Sequence, residues 1–507
     1  MSAWTLTLDL EGRDRDKGAQ LPTFLRIARA ISDDIVRGRL RAGDALPGSR
    51  SLAASLGVHR NTVLAAYREL GAEGWIACEE ARGTFVSKQI PEVAPRRFAS
   101  AAASPREIAA RVGFDLGPAR IGPVPPPAPL PVPRSSRLEG PMSLGGGVPD
   151  VRLVPAAEIA RAMRRVLRRN LLEVLSYGDP AGPLALRTAL ADMVAHTRGV
   201  VARPENVLVT RGSQMGIDLV ARTLVSAGDV IAIEALGYRP AWEALRAAGA
   251  HLAPIPVDAH GLDVDALERL AQDPRSKLRG VYVTPHHQFP TTVTLAPARR
   301  LRLLDLAREH RLFLLEDDYD HEFHYEGRPV QPLASADVNG VVVYVGTLSK
   351  VLAPGMRLGF VIAPAPLASR LVAMRRVVDR QGDQILEHAV ADLLEEGEIQ
   401  RHIRRAKRIY AERRERACGL LAKTFGEALA FEPPLGGTAI WARVSPEISV
   451  DAWSESAAKQ GLVLQAARQF AVDGKPRPFL RIGFAQHDER EVREAVRRMH
   501  AAMPRAR

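Results

Sequence analysis

A stretch dense in proline, IGPVPPPAPLPVPRSS at residues 121–136, interrupts the chain and most constrains how it can fold. Proline lacks the backbone N–H donor and has a fixed φ, so this stretch cannot form a helix or an inner strand. It is typical of a semi-rigid polyproline II spacer. Because residues 91–120 are also rich in Ala, Pro and Arg, we assign 91–140 to a linker. The linker is either a bare tether or a docking site for a partner.

The linker divides the 507 residues into a short N-terminal domain, 18–90, and a large C-terminal domain, 141–507. Hydrophobic residues make up 46% of the chain, enough for a large core, and the net charge of +12 fits contact with an anionic polymer. Cys78 and Cys418 are too few and too distant for a disulfide framework or a metal site. Neither a secretory signal nor an apolar run of the ~20 residues that a membrane helix needs is found, so we expect a cytoplasmic protein.

The N-terminal domain has the pattern of a winged helix-turn-helix. Apolar residues recur at helical spacing in its first segment, at Phe24, Ile27, Ile31 and Ile35. The next segment, GSRSLAASLG, predicts a short helix with Ser49 as its N-cap and Gly57 as its end. VHRNTVLAAYRELGAEGWI predicts a longer helix, and the tail WIACEEARGTFVSK alternates like a hairpin with Arg82 and Gly83 at its tip.

Two helices joined by a tight turn place the second helix in the major groove, with its first residues at the base edges. The alternative is an ordinary small helical subdomain with surface arginines, and the near-neutral charge of this segment does not decide between them. The ordered pattern does, because LPGSRSLAASLGVHRNTVLAAYRELGAEGWI resembles the winged helix of GntR-family bacterial transcription regulators. The resemblance implies DNA contacts by Ser49, Arg50, Arg60, Asn61, Thr62, Arg82 and Gly83.

Helical segments alternate with short apolar runs in the C-terminal domain, at 206–210, 229–234, 280–285, 312–318 and 341–347. This alternation predicts an α/β fold, with a mostly parallel sheet covered by helices. Ligands bind such sheets at the carboxyl ends of the strands. The segment TLSKVLAPGMRLGF places a lysine directly after the last run and an arginine seven residues later, near the expected ligand site.

The polar residues at these strand ends each have an ordinary alternative. Lys350 is either a surface lysine or one whose amine condenses with an aldehyde. Asp317 is either a solvated acid or the partner of a ring nitrogen. Gly212, Ser213 and Gln214 form either a routine turn or a phosphate site at a helix N-terminus.

Two further residues complete the set of candidates. Tyr238 follows a strand end, where its ring either packs in the core or stacks on a ligand. Arg481 lies in the apolar segment FLRIGF, and its partner is either a side-chain carboxylate or the carboxylate of a ligand. Each of these signals is moderate alone, and their order along the chain adds to them.

The motifs GSQ, GY, HQFPT, EDDYDHEF, TLSK, RLGF and LRIGF resemble, in this order, those of fold-type-I aminotransferases, which use pyridoxal 5′-phosphate. The resemblance runs from about residue 145 to the end and implies a small C-terminal subdomain. It implies that Lys350 forms the Schiff base with the cofactor and that Asp317 holds the ring nitrogen. It further implies that Tyr319 faces the phenolic oxygen and that Tyr238 stacks on the ring.

The same resemblance assigns the remaining contacts. It implies that the ligand carboxylate is bound by Arg481. It implies that the cofactor phosphate is bound by Gly212, Ser213, Gln214, Thr347 and Arg357. The segment HHQFPTT has Phe289 and Thr292 where that family commonly has the Asn and Gly of NPTG. His287 either takes over the lost polar contact or is a solvated loop histidine. This departure predicts at most residual transaminase turnover.

A GntR-type winged helix, a long linker and an aminotransferase-like domain together resemble the MocR-type regulators. That resemblance implies a homodimeric, often head-to-tail regulator that binds an operator and senses an amino compound through external aldimine formation. Two other functions stay open: a working aminotransferase with an appended DNA-binding domain, and a sensor of pyridoxal phosphate itself. The sequence identifies neither the effector, nor the operator, nor whether genes are activated or repressed.

Overall fold

The computed structural model describes residues 22–36, 39–79, 82–88, 140–327 and 330–504. The chain divides into two compact units, Met1–Leu116 and Gly117–Arg507. The proline-rich stretch and most of the predicted linker lie outside the described residues, so the predicted domain boundaries stay predictions. Among the described residues, no helix combines the length and apolar composition needed to cross a membrane.

The N-terminal unit contains three helices followed by a two-stranded hairpin: α1 Thr23–Val36, α2 Ser49–Leu56, α3 Arg60–Ala72, β1 Ile76–Glu79 and β2 Gly83–Val86. The strands pair antiparallel, with Ile76 opposite Val86. A small core of fully buried side chains joins the helices, including Ile27, Ile31, Val63 and Leu70. The predicted helical spacing therefore marks the buried faces of α1 and α3, and the fold of this unit is a winged helix-turn-helix.

The start of the second helix differs by one residue from the prediction. Helix α2 begins at Ser49 itself, and Gly48 occupies the N-cap position without a side-chain cap. Its end is as predicted, because Gly57 takes the left-handed conformation (φ 63°) that stops a helix. The cap of α3 comes from His59, whose Nδ1 accepts a hydrogen bond of 3.2 Å from the backbone N–H of Asn61.

The C-terminal unit has thirteen helices within the described ranges: α4 Ala156–Arg169, α5 Leu171–Val174, α6 Leu184–Arg198, α7 Ser213–Leu224, α8 Arg239–Ala247, α9 Val264–Gln272, α10 Pro297–Glu309, α11 Leu333–Ala336, α12 Ala365–Val378, α13 Gln384–Glu395, α14 Glu398–Phe425, α15 Val450–Lys459 and α16 Glu489–Ala501. Its strands are β3 Met142–Ser143, β4 Val207–Thr210, β5 Val230–Glu234, β6 His251–Ile255, β7 Val257–Asp258, β8 Gly261–Leu262, β9 Leu278–Val283, β10 Phe313–Asp318, β11 Val342–Thr347, β12 Gly359–Ile362, β13 Leu429–Ala430, β14 Ala439–Val444, β15 Leu462–Val463, β16 Gln465–Ala466 and β17 Phe479–Gly483.

Seven of these strands form one sheet in the order β4-β12-β11-β10-β9-β5-β6. All five predicted apolar runs lie in it, which confirms the predicted α/β fold. The sequence analysis missed β6 and β12. Strand β12 runs antiparallel to both of its neighbours, so its amino end meets the carboxyl ends of the other strands. The segment RLGF therefore enters the sheet at the edge where ligands bind such sheets.

A second sheet of four strands, in the order β13-β14-β17-β16, builds the small C-terminal subdomain. Its strands are antiparallel to one another, and Arg481 on β17 lies opposite Trp441 on one side and Gln465 on the other. Apolar side chains of α14, α15 and α16 form a shared core with this sheet. The predicted apolar strand around Arg481 is therefore present, and a long-range fold brings that strand towards the large sheet.

Candidate functional site

The start of α3 is the exposed end of the helix-turn-helix. Arg60 and Asn61 are exposed there, and Arg50 is exposed at the start of α2. The guanidinium Nε of Arg60 donates a 3.3 Å hydrogen bond to the Ser49 hydroxyl, so the two predicted DNA contacts lie side by side. In the wing, Gly83 has φ 116° and Arg82 forms a 2.6 Å ion pair with Glu79. Five of the seven predicted DNA contacts are thus exposed, whereas Ser49 and Thr62 are half-buried; their contacts with DNA stay predictions.

Replacing Arg60 by alanine is expected to weaken operator binding by about 10- to 100-fold, which corresponds to the loss of one base or phosphate contact. The matched control is Arg68→Ala, because Arg68 is an exposed arginine on the same helix, two turns further from its N-terminus. Fluorescence anisotropy on a DNA fragment selected by the intact protein from a random pool measures both. Equal losses in the two variants would mean that the first turn of α3 does not carry the specific contact.

The cofactor-site candidates of the C-terminal unit lie at the carboxyl edge of the large sheet. Parallel strands β10 and β11 are adjacent, so Asp317 and Lys350 are placed at the ends of neighbouring strands. Thr347 pairs with Gly359, which in turn pairs with Thr210 on β4. This register brings three distant segments of the sequence to one edge.

Lys350 lies among charged groups at the carboxyl edge of the large sheet. Burial lowers the pKa of its amine to about 8, and the neighbouring cation of Arg481 acts in the same direction, against the carboxylates of Asp320 and Asp317. More of the amine is therefore neutral and nucleophilic near physiological pH than in an ordinary lysine. The Schiff-base role of Lys350 stays a prediction.

Asp317 is buried, and its two oxygen atoms differ. The hydroxyl of Tyr282 donates a 2.8 Å hydrogen bond to Oδ2, while Oδ1 has no hydrogen-bond partner within the described part of the chain. Burial raises the pKa of Asp317 to about 7. The Tyr282 hydrogen bond opposes this rise, and the charge of Asp318 adds to it. A protonated ring nitrogen placed at Oδ1 would satisfy both the orphaned oxygen and the buried charge.

Asparagine at position 317 is expected to stabilise the cofactor-free protein at high pH. The folded-state pKa of Asp317 is raised from 3.8 to about 7, so the folded protein binds more protons between those values and loses stability as pH rises through them. The neutral amide of Asp317→Asn removes that loss. Urea unfolding of the two proteins should coincide below pH 4 and diverge above pH 7 in favour of the variant. Asp305→Asn, which changes an exposed carboxylate, should leave the pH profile unchanged.

The predicted phosphate-binding residues meet where β12 passes the start of α7, and we refer to this place as the candidate anion cradle. Ser213 and Gln214 are the first residues of α7, whose free N–H groups and dipole favour a phosphate. Arg357 has φ 51° and donates a 3.0 Å hydrogen bond to the carbonyl of Arg211, and a Cβ at Gly212 would lie only 3.2 Å from its guanidinium. The predicted phosphate residues are therefore together, and glycine at 212 gives the arginine room.

Two of the predicted phosphate contacts are engaged with protein atoms in the same cradle. The Thr347 hydroxyl donates to the Leu358 carbonyl at 3.3 Å and accepts from the Ser349 N–H at 3.1 Å. The amide nitrogen of Gln214 donates to the Pro240 carbonyl at 2.8 Å, whereas its Oε1 has no partner among the described residues. Thr347 thus orders the turn that carries Lys350, and its contact with a phosphate stays a prediction.

Arg481 is a buried cation with unused donors. Its side chain is 1% exposed, and Nε and Nη1 make no hydrogen bond to any described residue. Burial lowers the pKa of its guanidinium, and the neighbouring Tyr319 and Asp320 only partly offset that cost. Its guanidinium carbon lies 4.5 Å from the centre of the Phe289 ring. A buried arginine of this kind lacks a bidentate anion, which a ligand carboxylate would supply.

The sequence analysis missed the glycines that make room for Arg481. A Cβ at Gly146 would overlap its guanidinium, and one at Gly147 would lie 3.5 Å from Arg481 Nη1 and 3.9 Å from Lys350 Nζ. The backbone of this segment therefore passes between the two cations. The run GGG at 145–147 was the available signal, because consecutive glycines mark close backbone approach.

Aromatic side chains enclose the space beside Arg481. Phe289 packs edge-on against Tyr238, at 5.7 Å between ring centres, and against Tyr319, at 5.9 Å. The Tyr319 hydroxyl donates to the carbonyl of His287 at 2.9 Å. Phe289, which replaces a polar residue of the usual motif, therefore forms an apolar wall. The roles of both tyrosines towards the cofactor stay predictions.

His287 is buried, so the alternative of a solvated loop histidine is wrong. Its Nδ1 lies 2.9 Å from Asp320 Oδ1, and its Nε2 lies against Gly436 of the small subdomain. A polar contact from this ring to the cofactor stays a prediction. Thr292 has φ 64°, so it keeps the left-handed backbone of the glycine that it replaces. A β-branched residue there costs about 1–2 kcal/mol.

Two families match the chain. Residues 23–86 match the bacterial regulatory proteins of the gntR family, and residues 140–499 match aminotransferase class I and II. The probable rhizopine catabolism regulatory protein MocR of Rhizobium meliloti is 30% identical over 96% of this chain and 95% of its own length. The regulator TauR of Rhodobacter capsulatus is 30% identical over 94% of this chain and 96% of its own length.

A solved structure matches the C-terminal unit. LysN, the α-aminoadipate aminotransferase of Thermus thermophilus in complex with N-(5′-phosphopyridoxyl)-L-leucine, has a TM-score of 0.66 and 29% identity over 72% of this chain and 92% of its own. Pyridoxal 5′-phosphate fits the residues described above, because the pocket offers a reactive amine, an orphaned carboxylate oxygen and an anion cradle. The chain belongs to the MocR-type regulators of the GntR family, in which a DNA-binding winged helix is joined to a pyridoxal-phosphate-dependent domain of aminotransferase class I and II.

Proposed function

We propose that this regulator senses a small amino compound that carries a carboxylate. The observation that carries the proposal is the buried guanidinium of Arg481, whose Nε and Nη1 lack partners within the described ranges. The backbone at Gly147 passes close to both Arg481 and Lys350, so a small molecule whose amine reacts at the Lys350 site can place a carboxylate near Arg481.

Pyridoxal phosphate supplies an aldehyde that condenses reversibly with primary amines. The residues of the chain supply the binding contacts for the cofactor and for the amino compound. Lys350 would offer an amine of which part is neutral near physiological pH, and Asp317 Oδ1 would accept the ring N–H. Arg357 and the start of α7 bind the phosphate, and Arg481 orients the incoming carboxylate.

Binding of the amino compound is transmitted to DNA by a shift between two arrangements of a homodimer. Each arrangement spaces the two winged helices differently, and spacing of half-sites on DNA follows dimer geometry. The compound shifts the equilibrium only as far as its affinities for the two arrangements differ. In keeping with the family relationship, the dimer is head-to-tail. Because the protein binds DNA and Cys78 and Cys418 are unpaired, we place it in the cytoplasm.

The dimer proposal is supported by a run of exposed apolar side chains at Leu171, Leu172, Leu175 and Tyr177, which are 49–84% exposed. Introducing Leu172→Asp together with Leu175→Asp is expected to shift the protein from dimer to monomer in sedimentation velocity. Val338→Asp is the control, since Val338 is 91% exposed but lies far from this run in the sequence. A wild-type protein that sediments as a monomer would contradict the proposal.

The test of the sensing function is the visible absorption spectrum of the cofactor-loaded protein during titration with a panel of amino acids and amines. The proposal expects one carboxylate-bearing amine to cause a lasting spectral change and to alter operator binding at the same concentration. No spectral change with any carboxylate-bearing amine would contradict it. If DNA binding instead responds only to loading of the cofactor, the protein senses pyridoxal phosphate itself.

A second candidate function is transamination. It is favoured by one observation: Lys350, with a pKa near 8, is suited to move a proton as well as to bind. The 2-aminoadipate transaminase of Thermus thermophilus is 31% identical over 72% of this chain. Steady conversion of an added amino acid to its keto acid, with the cofactor spectrum restored by a second keto acid, would establish this function in place of sensing alone.

A further inference from the structure

Three buried histidines meet beneath the cofactor-site residues. His286 and His287 follow β9, and His324 follows β10, the neighbouring parallel strand. They are 2%, 2% and 6% exposed, and one ring nitrogen from each lies within 4.8 Å of the others. The rings of His286 and His287 lie 4.2 Å apart between centres. We refer to these three residues as the histidine cluster.

The histidine cluster has unused ring nitrogens. Within the described part of the molecule, both ring nitrogens of His286 and Nε2 of His287 have no hydrogen-bond partner. Leaving a buried polar atom unpaired costs about 1–3 kcal/mol.

Asp320 gives His287 the arrangement seen in metal sites. Its Oδ1 lies 2.9 Å from His287 Nδ1, so the ring proton belongs on Nδ1 and the lone pair on Nε2. The small subdomain leaves room at that nitrogen only because residue 436 is glycine, since a Cβ there would overlap Nε2. His321 stacks on His286 and its Nδ1 lies 3.1 Å from Asp318 Oδ2, but it is not one of the three histidines whose nitrogens lie within 4.8 Å of one another.

We propose that His286, His287 and His324 bind a divalent transition metal ion, Zn²⁺ by preference, with Asp320 holding His287 in place. Three neutral imidazoles with an open fourth position are a ligand set that Zn²⁺ accepts. At Zn–N distances of about 2.0–2.1 Å, tetrahedral ligand nitrogens lie roughly 3.4 Å apart. The three nitrogens are spread over as much as 4.8 Å, so the rings must move inward on the order of 1 Å when the ion binds.

Metal binding would tie together the two loops that form one wall of the cofactor site. The His287 carbonyl accepts the Tyr319 hydrogen bond, and Phe289, two residues further on, packs beneath Arg481. An ion held by the histidine cluster would link the loop after β9 to the loop after β10. The metal site is therefore distinct from the amine site but adjacent to it, and it offers a second input to the regulator.

The test uses full-length, tag-free, cofactor-loaded protein from which metal has been removed with a chelator. Competition with a chromophoric chelator measures Zn²⁺ affinity, and elemental analysis measures the stoichiometry. We expect tight, stoichiometric binding by the wild type, a loss of at least about 100-fold in His286→Asn and His324→Gln, and a loss of about 10- to 100-fold in Asp320→Asn. His402→Asn should bind as the wild type, because His402 is a buried histidine already paired with the Val351 carbonyl at 2.8 Å.

Two outcomes would overturn the proposal. The first is a wild type that binds Zn²⁺ no more tightly than His286→Asn or His324→Gln, which would mean that buried water occupies the cluster. The second comes from X-ray absorption of the zinc-loaded wild type, which needs no variant to fold. A first coordination shell without several imidazole ligands would place the ion elsewhere.

Discussion

Replacing Lys350 by alanine abolishes covalent retention of pyridoxal phosphate, and this is the largest effect expected of any single substitution. No other amine can replace it, because the lysine stands at the carboxyl end of β11 with its pKa lowered to about 8 by burial and by Arg481. Borohydride treatment followed by mass spectrometry of peptides detects the retained cofactor. We expect the mass increase on the peptide that contains residue 350 in the wild type and on no peptide of the variant.

The matched control is Lys459→Ala, which removes an exposed lysine from α15. It should retain the cofactor as the wild type does. Cofactor bound covalently at another lysine of the Lys350→Ala variant would contradict the assignment. Loss of binding through unfolding is excluded by circular dichroism and by phosphate protection of the cofactor-free variant, since Arg357 and α7 are untouched.

The lowered pKa adds a pH dependence to the same experiment. Only the neutral amine attacks an aldehyde, so the rate at which the cofactor-free protein takes up pyridoxal phosphate should rise about tenfold per pH unit below about 8 and level off above it. An ordinary lysine, with its pKa at 10.5, would still gain rate above pH 8. Stopped-flow absorption across this range distinguishes the two.

Replacing Arg481 by glutamine weakens binding of a carboxylate-bearing amine by roughly 100-fold or more. Removing one partner of a buried, hydrogen-bonded charge pair costs about 2–5 kcal/mol, and we propose that the ligand carboxylate is the partner of the Arg481 donors that have none among the described residues. An amine of similar size without a carboxylate should lose no affinity. Titration of the cofactor spectrum with the two kinds of amine measures both effects in one variant.

The control for Arg481 is Arg443→Gln, because Arg443 is an exposed arginine on the neighbouring strand β14. It should leave both affinities unchanged. Equal losses for amines with and without a carboxylate would assign Arg481 a structural role instead. Because coupling between two binding sites is reciprocal, the Arg481 variant should also require a proportionally higher effector concentration to alter DNA binding.

The sequence alone predicted the parts of the fold that depend on local patterns. Apolar runs of strand length predicted five strands of the large sheet, and helical spacing predicted the buried faces of α1 and α3. Strand β12 was missed because four residues at a turn carry too little periodicity to be distinguished from a loop. Ser49 was predicted as the N-cap of α2 but is its first helical residue. The choice between these two positions depends on backbone angles that a single residue type does not specify.

For the candidate site, the order of motifs predicted the residues, and the topology brings them to one edge of the sheet. Lys350 and Asp317 could be placed at one edge because both follow strands of a parallel sheet. The approach of Gly146 to Arg481 could not be predicted, since it joins segments from opposite ends of the C-terminal domain. The histidine cluster was missed for a similar reason, because His324 joins the consecutive pair His286 and His287 only across adjacent strands.

What the sequence determined by itself was therefore the family, the cofactor and the residue types that serve it, because these depend on motifs whose order along the chain is informative. What only the tertiary structure decided was the state of each polar atom: that Asp317 Oδ1 and two nitrogens of Arg481 lack hydrogen-bond partners among the residues that the structure describes, and that His287 faces Asp320. Whether a polar atom is buried and paired depends on every segment that packs around it. No local pattern in the sequence contains that information.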